Sequence, residues 1–297
     1  AKGPGLEQDY EVDRWVALIR RLQPDAAIFS ESGPDIRWIG NEEGVAGETN
    51  WSKMPPHRGI SGNDTALLGS GVPEGSRWLV GECDVSIRPG WFHHPEEDAK
   101  VKTPASLLDL YLKSVGRNAV LLLNVPPTHE GLIAEPDVST LQGFGHLLWA
   151  SFSDDLAAGS KASASSTWME NPAFGPENVL DDEAGRYWAA GAGERSAWIV
   201  LDFPGTRSVD AIRVEEYIEL GQRISAFHVE VLRGGSWTKV AGGTTIGFKR
   251  ILCFAPVEAE ALRLSVDESH AEPLIRRVAV HALQGRLTVA KLIFPVS

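Results

Sequence analysis

The stretch Ala27-Ile28-Phe29-Ser30, which continues as ESGPDIRWIGNEEG over residues 31–44, indicates the architecture of the first half of this chain. Its apolar run is typical of a short buried strand, and the run opens into a loop that carries carboxylates, an arginine and a tryptophan. Where helices and parallel strands alternate, functional side chains lie on loops that leave the carboxyl ends of the strands. The sequence therefore predicts a functional loop at this point.

Helical and apolar segments alternate around this loop. Helices are predicted over residues 12–22, from the cap Thr103 to Gly116, and over 137–149, because apolar residues recur there on one helical face. Short apolar runs predict buried strands at 26–30, 78–80 and 119–123. This alternation indicates βα units with a parallel sheet, and the units present amount to about half of an eight-unit barrel.

The second half of the chain has a different pattern. Residues 151–166 are rich in Ser, Ala, Asp and Gly, as in an interdomain linker. Short apolar runs between Gly, Pro and Asp turns then predict the strands of a β-sandwich, at 197–203, 211–214, 227–232, 238–241, 250–254 and 261–266. We therefore predict an α/β plus all-β chain, with a barrel part over 1–152, a linker over 153–165, a β-sandwich over 166–283 and an unassigned tail over 284–297.

Composition limits the partners and the compartment. The 297 residues have a formal net charge of −12 and an isoelectric point near 5.2, so the surface repels phosphate backbones and no nucleic acid partner is expected. Apolar runs fall short of the ~20 residues of a membrane span, so no membrane partner is expected either. Cys83 and Cys253 lie far apart and are predicted to be free thiols. The chain begins at Ala1 without methionine or an apolar leader, which leaves localisation open.

The side chains of the acidic loop suit carbohydrate chemistry. Carboxyl groups protonate glycosidic oxygens or attack anomeric carbons, aromatic rings pack on the apolar face of a pyranose, and arginine holds hydroxyl groups. The motifs Gly33-Pro34-Asp35-Ile36-Arg37-Trp38, Gly40-Asn41-Glu42 and Gly47-Glu48-Thr49-Asn50-Trp51 together resemble the α-L-fucosidases of glycoside hydrolase family 29, in the branch that prefers α-1,3/1,4-linked fucose. The resemblance implies the C-terminal half of a (β/α)8-like barrel.

The second half resembles the discoidin-type, or galactose-binding-like, β-sandwich that follows the barrel in these fucosidases. The motifs that carry this resemblance are GPENVLD at 175–181, RYW at 186–188, GQRI at 221–224 and TTIGFKR at 244–250. Related domains often hold a structural Ca²⁺ near the position of Asp181-Asp182. Here Glu183-Ala184-Gly185-Arg186 replaces the usual continuation, so we expect neither this metal nor any other cofactor.

The resemblance also assigns the catalytic carboxyl. Trp38-Ile39-Gly40-Asn41-Glu42 matches the stretch that ends in the general acid/base of the family branch, so Glu42 is expected to fill that role. Glu43 and Glu48 are the alternatives. The role requires a pKa raised toward neutrality by burial and by the charge of the nucleophile. In the family, the nucleophilic Asp precedes a segment similar to Ala1-Lys2-Gly3-Pro4-Gly5, so it is expected just upstream of residue 1.

Five residues are predicted to bind substrate, namely Arg37, Trp38, Glu48, Trp51 and Trp91. Trp38 and Trp51 would form apolar walls beside the catalytic carboxyl. Glu48 would hold a substrate hydroxyl or orient Arg37. Trp91 would pack on the fucose methyl and ring face, although a core position is an equally good interpretation of this residue.

Two further polar features lie near the ends of the predicted strands. Asn124 ends the last strand of the barrel part, where it either reaches the site or caps a turn. His93-His94 and the acids after them lack the spacing of metal ligands, so a solvated loop is expected there.

The resulting hypothesis is a retaining α-L-fucosidase that releases α-1,3/1,4-linked L-fucose from oligosaccharides or glycoconjugates. Its expected partners are a fucosylated oligosaccharide and either the N-terminal half of the same enzyme or a companion chain, because half a barrel exposes apolar strand edges. The family implies a secreted or periplasmic protein, and a cytoplasmic one stays open. Two alternatives also stay open: a non-catalytic protein that binds fucosylated glycans, and an interaction module whose sandwich docks on another protein.

Overall fold

The computed structural model describes residues 11–30, 33–56 and 64–284. The residues that place the nucleophile upstream, 1–5, and the tail from residue 285 lie outside the described residues. The helices are α1 (Val12–Leu22), α2 (Thr65–Ser70), α3 (Pro104–Lys113) and α4 (Glu135–Phe152), with short 3-10 segments at Pro95–Lys100, Trp168–Glu170, Pro172–Phe174, Pro176–Leu180 and Ile218–Leu220. The strands are β1 (Phe29–Ser30), β2 (Ile36–Trp38), β3 (Lys53–Met54), β4 (Arg77–Trp78), β5 (Val80–Ser86), β6 (Ala119–Asn124), β7 (Lys161–Ala164), β8 (Trp188–Ala189), β9 (Ala197–Glu216), β10 (Ile224–Arg233), β11 (Ser236–Gly243), β12 (Arg250–Ser269) and β13 (Leu274–His281).

A parallel sheet with the strand order β1-β2-β5-β6 lies at the centre of the α/β unit. One face of this sheet packs on α3, where Val85 of β5 and Leu121 and Leu123 of β6 meet Leu107 and Leu110. All-apolar strands that alternate with helices produce this arrangement, because the crossover helix covers the sheet. The predicted fold class, a barrel-like α/β part followed by a β-sandwich, is confirmed.

The opposite face of the sheet is exposed within the described residues. Successive residues of a strand point to opposite faces, so Trp38 of β2, Glu82 and Asp84 of β5, and Val120 and Leu122 of β6 share this face. Val120 is 41% exposed and Leu122 is 48% exposed. The strand predicted to be buried at 119–123 is therefore covered on one face only.

Two elements at the beginning of the described chain are likewise exposed. The bounds of α1 agree with the helix predicted over 12–22, but none of its residues is buried, and Trp15 and Leu22 of its apolar stripe are exposed. The strand predicted over 26–30 shortens to β1, where Phe29 is exposed. The sequence pattern identifies an apolar face, and the described residues do not cover it.

The third and fourth helices begin near their predicted positions. Thr103 Oγ1 accepts a hydrogen bond from Ser106 N at 3.2 Å and caps α3, which ends at Lys113 rather than at the predicted Gly116. The α4 helix is longer than the predicted 137–149 and carries Asp137 in its first turn. This carboxylate is buried and accepts from Arg88 Nε at 3.0 Å, which ties the helix to the loop after β5.

The β-sandwich contains the strand order β11-β10-β12-β9-β13-β8, with β7 paired to β9. Strands β9 and β12 are each 20 residues long and pair antiparallel, with breaks in their register between Cys253 and Val257 and between Ala259 and Ala261. The fully buried Trp188 lies in the core between the layers. The strands β7, β8 and β13 were not predicted, because two of them are short and the third lies beyond the last alternating run.

The segment predicted as a linker packs against the sandwich. Lys161–Ala164 form β7 and pair with β9, so the sandwich begins before residue 166. Asp155 accepts hydrogen bonds from Val280 N at 2.9 Å and from Arg277 Nη2 at 2.7 Å, and Ala157 is fully buried. Small residues are common in linkers, but here they fit tightly against the sheet.

The two units pack against each other through α3 and α4. Leu108 and Leu112 of α3 meet Ile251 of β12 in an apolar cluster, and Cys253 packs against it. Cys253 and Cys83 are free, as predicted, and burial raises the pKa of each thiol to about 12. The α/β unit and the sandwich are therefore joined by a shared apolar contact.

Candidate active site

Side chains from three strand ends meet at the carboxyl edge of the parallel sheet. Glu42 lies on the loop after β2, Trp91 on the loop after β5, and Asn124 is the last residue of β6. Trp91 Nε1 donates to Glu42 Oε2 at 3.1 Å. Asn124 Nδ2 donates to the Trp91 carbonyl at 3.1 Å and to Ser86 Oγ at 3.0 Å. The structure thus brings together Glu42, Trp91 and Asn124, which sequence analysis singled out separately.

A compact turn presents Glu42 at this edge. Asn41 Nδ2 donates to the Val45 carbonyl at 2.9 Å and so closes the turn around the glutamate. Gly44 has a φ of +76°, and a Cβ at this position would lie 2.7 Å from Val85 Cγ1, so the turn requires glycine. The carboxyl of Glu42 is exposed to solvent in this arrangement, so the described residues do not provide the burial that was expected for the acid/base role.

The partly exposed sheet face below this edge carries two carboxylates that sequence analysis missed, of which Glu82 is buried. Trp38 Nε1 donates to Asp84 Oδ1 at 2.7 Å. Glu82 lies on the same face, and burial, followed by the charge of Asp84, raises the pKa of its carboxyl. Two carboxylates that alternate within an otherwise apolar strand were the available signal, because a strand places them on one face.

Comparison with known proteins identifies the family. The Alpha-L-fucosidase family model matches residues 70–151 and the F5/8 type C domain model matches 161–278. Putative alpha-L-fucosidase 1 of Oryza sativa subsp. japonica is 43% identical over 285 residues, which covers 93% of this chain and 53% of the relative. Alpha-L-fucosidase 1 of Arabidopsis thaliana is 42% identical over 288 residues, which covers 95% of this chain and 56% of the relative. The chain belongs to the α-L-fucosidase family. It spans about half the length of these curated relatives.

Solved structures agree with this assignment to the fucosidases. The crystal structure of SpGH29 matches with a TM-score of 0.89 at 37% identity, covering 95% of this chain and 62% of that one. A Ruminococcus gnavus GH29 fucosidase in complex with fucose matches with a TM-score of 0.86 at 31% identity, covering 96% of this chain and 60% of that one. The predicted resemblance to glycoside hydrolase family 29 is confirmed, whereas the α-1,3/1,4 branch stays a prediction.

Arg37 is buried among structural partners and does not face an open site. Its side chain is fully buried, with Nε donating to the Leu68 carbonyl at 2.9 Å, Nη2 to Asn50 Oδ1 at 2.8 Å, and Nη1 to the Leu79 carbonyl. Burial lowers the pKa of the guanidinium to about 10. Because these donors are already used, the predicted contact between Arg37 and substrate is not available in this geometry.

Glu48 and Trp51 lie at the junction between the two domains. Glu48 pairs with Arg117 and, at 2.6 Å, with Arg250 of the sandwich. Trp51 is 4% exposed and meets the ring of His270 edge-on at a centroid distance of 5.3 Å. The structure therefore places Glu48 and Trp51 at the contact between the domains, whereas Arg37 is buried within the α/β unit. Trp38 and Trp91 are the two that stay on the accessible side.

The Asp181-Asp182 position, where related domains often hold calcium, is occupied by ion pairs with arginine. Asp181 accepts from Arg186 Nη1 at 2.8 Å, and Asp182 pairs with Arg277 Nε at 3.1 Å. Guanidinium groups that neutralise both carboxylates do not fit a calcium site, which needs several oxygens around a cation. Among residues 11–30, 33–56 and 64–284, no three His, Cys, Asp or Glu side chains gather as metal ligands. None of the helices in these ranges has the length and apolarity needed to cross a membrane.

Proposed function

We propose that this chain is the C-terminal part of the catalytic barrel of an α-L-fucosidase and supplies its general acid/base, Glu42. The hydrogen bond from Trp91 to Glu42 at 3.1 Å is the main support. It holds a carboxyl and an aromatic ring together at the sheet edge where barrel enzymes carry their chemistry. The fucosidase names of relatives that align with almost the whole chain support fucose as the sugar.

The proposed reaction is retaining hydrolysis of α-1,3/1,4-linked L-fucose. An aspartate, predicted just upstream of residue 1, attacks the anomeric carbon while Glu42 gives its proton to the departing glycosidic oxygen. This step forms a fucosyl-enzyme ester and releases the aglycone as an alcohol. Glu42, now a carboxylate, takes a proton from water as the water oxygen attacks the same carbon, which frees fucose and restores both carboxyl groups.

The neighbours of Glu42 suit these steps. Because the indole of Trp91 bonds to Oε2, the proton that is transferred is placed on Oε1. The ring of Trp91 is 37% exposed, which leaves a face for the apolar side of a pyranose. Trp38 is fixed by its bond to Asp84 and lines the same side of the sheet, where the partly exposed Asp84 can accept hydrogen bonds from sugar hydroxyls.

The test compares neighbouring carboxyl groups in the full-length gene product. Turnover of a Lewis-type trisaccharide and of an aryl fucoside with a good leaving group is measured for wild type, Glu42→Gln and, as the matched control, Glu43→Gln. Glu42→Gln is expected to lower kcat/KM on the trisaccharide by about 10²- to 10⁴-fold and on the aryl fucoside by much less, because a good leaving group needs no proton. Glu43→Gln is expected to stay within about twofold on both.

Two outcomes would refute the proposal. An unchanged trisaccharide rate in Glu42→Gln would remove this residue from the mechanism. Binding of the trisaccharide by the wild type without turnover of either substrate would favour a glycan-binding protein instead.

A further inference from the structure

The loop after β2 is fastened to the β-sandwich only a few residues beyond Glu42. We call residues 48–52 the anchor segment. Asn50 N donates to Thr245 Oγ1 at 2.9 Å, and the Asn50 carbonyl accepts from Gln222 Nε2 at 3.0 Å. Ser52 N donates to Gln222 Oε1 at 2.8 Å. Side chains of the sandwich thus bind the main chain of the anchor segment as a neighbouring strand would.

These contacts lie in a dry part of the junction. Asn50, Ser52, Gln222 and Thr245 are each 3% exposed or less. Water cannot readily replace a partner in such surroundings, so each lost hydrogen bond leaves a buried polar group unpaired. The anchor segment therefore has one well-determined position relative to the sandwich.

An ion-pair chain connects the same junction to the turn that carries Glu42. Arg250 of β12 is 2% exposed and holds Glu48 Oε2 at 2.6 Å, while Arg117 pairs with the other carboxylate oxygen. Arg117 Nη1 also donates to the Ala46 carbonyl at 2.9 Å, at the end of the turn. Because Glu48 itself is partly solvated, the buried hydrogen bonds of the anchor segment contribute the larger share of the rigidity.

We propose that the β-sandwich is a positioning element of the acid/base loop, with Gln222, Thr245 and Arg250 as positioning residues for Glu42. This inference rests on the proposed function, in which Glu42 transfers the proton. A displacement of about 1 Å at a reacting group can cost about 10²-fold in rate, so a loop held from both ends protects the proton transfer. The effect belongs to the chemical step and not to substrate binding.

The experiment removes anchor contacts and compares them with an equally buried site elsewhere in the sandwich. Gln222→Leu deletes the bonds to Asn50 and Ser52. Asn178→Leu is the matched control, because Asn178 is 2% exposed and holds the carbonyls of Ala173 at 2.8 Å and Tyr187 at 2.9 Å. Thr245→Val is the milder second variant and keeps the side-chain volume. All are made in the full-length gene product.

Gln222→Leu is expected to lower kcat/KM on a Lewis-type trisaccharide about tenfold, through kcat and with KM within about twofold, and to lower kcat/KM on an aryl fucoside with a good leaving group less than about threefold. The comparison uses kcat/KM because it reports formation of the fucosyl-enzyme, the step in which the leaving group departs, whereas Glu42 also acts as base in the second step. Thr245→Val should change the ratio of the two rates in the same direction. Asn178→Leu should lower thermal stability comparably but leave that ratio as in wild type.

Equal losses on both substrates in Gln222→Leu and Asn178→Leu would reduce the role of the anchor to stability and overturn the inference. A wild-type rate ratio in both anchor variants would overturn it too. If Glu42→Gln lacks the leaving-group dependence, the proposed function has failed. If Glu42→Gln shows it and the anchor variants do not, only the positioning role has failed.

Discussion

Asn118 joins the two domains, and its replacement measures how tightly they are docked. Its side chain is 5% exposed, and Nδ2 donates to the Asn50 carbonyl and to Ser52 Oγ, each at 3.1 Å. Oδ1 accepts from Phe248 N of the sandwich at 2.8 Å. The backbone is left-handed, with a φ of 60°, which asparagine tolerates better than alanine does. The change Asn118→Ala therefore combines lost hydrogen bonds with backbone strain.

The size of the effect follows from these contacts. Phe248 N loses its acceptor inside the junction, which costs about 1 to 3 kcal/mol, and the bonds from Nδ2 contribute about 1 kcal/mol more. The Asn50 carbonyl keeps its bond from Gln222 Nε2 at 3.0 Å, so its loss is small. The left-handed backbone adds roughly 1 kcal/mol for alanine. Together these effects predict a loss of about 3 to 5 kcal/mol in the free energy of unfolding.

Urea denaturation of the full-length gene product, followed by fluorescence and circular dichroism, checks this value. Asn118→Gly is the matched control, because glycine lacks the same carboxamide but accepts the left-handed backbone, and it is expected to recover part of the strain. A loss below about 1 kcal/mol in Asn118→Ala would refute the reasoning, since the junction bonds would then exchange freely with water.

Two further predictions concern single carboxyl groups. Burial raises the pKa of Glu216 to about 7, although hydrogen bonds from the backbone N–H groups of Arg223, Ile224 and Gly247 act to lower it. Because the folded pKa exceeds the unfolded value of 4.5, the folded state holds its proton longer, and stability should fall by up to about 3 kcal/mol as the pH rises from about 5 to 8. Urea midpoints should fall less over this range in Glu216→Gln, and an equal fall in both proteins would contradict the assignment. Trp91→Phe keeps the aromatic ring but removes the donor to Glu42, so kcat/KM on the trisaccharide should fall about tenfold, and an unchanged value would show that this bond does not orient the acid.

The helices could be predicted because their signals are local. Thr103 and the proline after it define the beginning of α3 within one turn, and the structure shows this cap. Whether one face or both faces of a strand are packed depends on parts of the chain that are distant in sequence. The apolar run at 119–123 has the same composition whether one face or both are packed, so the exposure of Val120 and Leu122 could not be inferred from it.

The candidate site likewise contains some residues that local motifs predict and others whose surroundings depend on distant parts of the chain. Glu42 and Trp91 could be assigned because each lies in a contiguous motif. The surroundings of Arg37 depend on acceptors 13, 31 and 42 residues away, and Glu48 meets Arg250 across 202 residues. Arginine and glutamate suit both sugar binding and ion pairs, so residue type alone does not distinguish these two environments.

The loop after β2 must be both open and rigid, and these two requirements are difficult to meet with the α/β unit alone. Its first part must leave Glu42 accessible to substrate, and its second part must hold the loop in place. The strand that precedes it is only three residues long, so the ladder of the sheet can fix very little of the loop. Rigidity then has to come from elsewhere, and a buried carboxamide such as Gln222 can bind an N–H and a carbonyl of the loop at once. A second domain that supplies such groups is a physical alternative to a longer strand, and it leaves the carboxyl edge open for substrate.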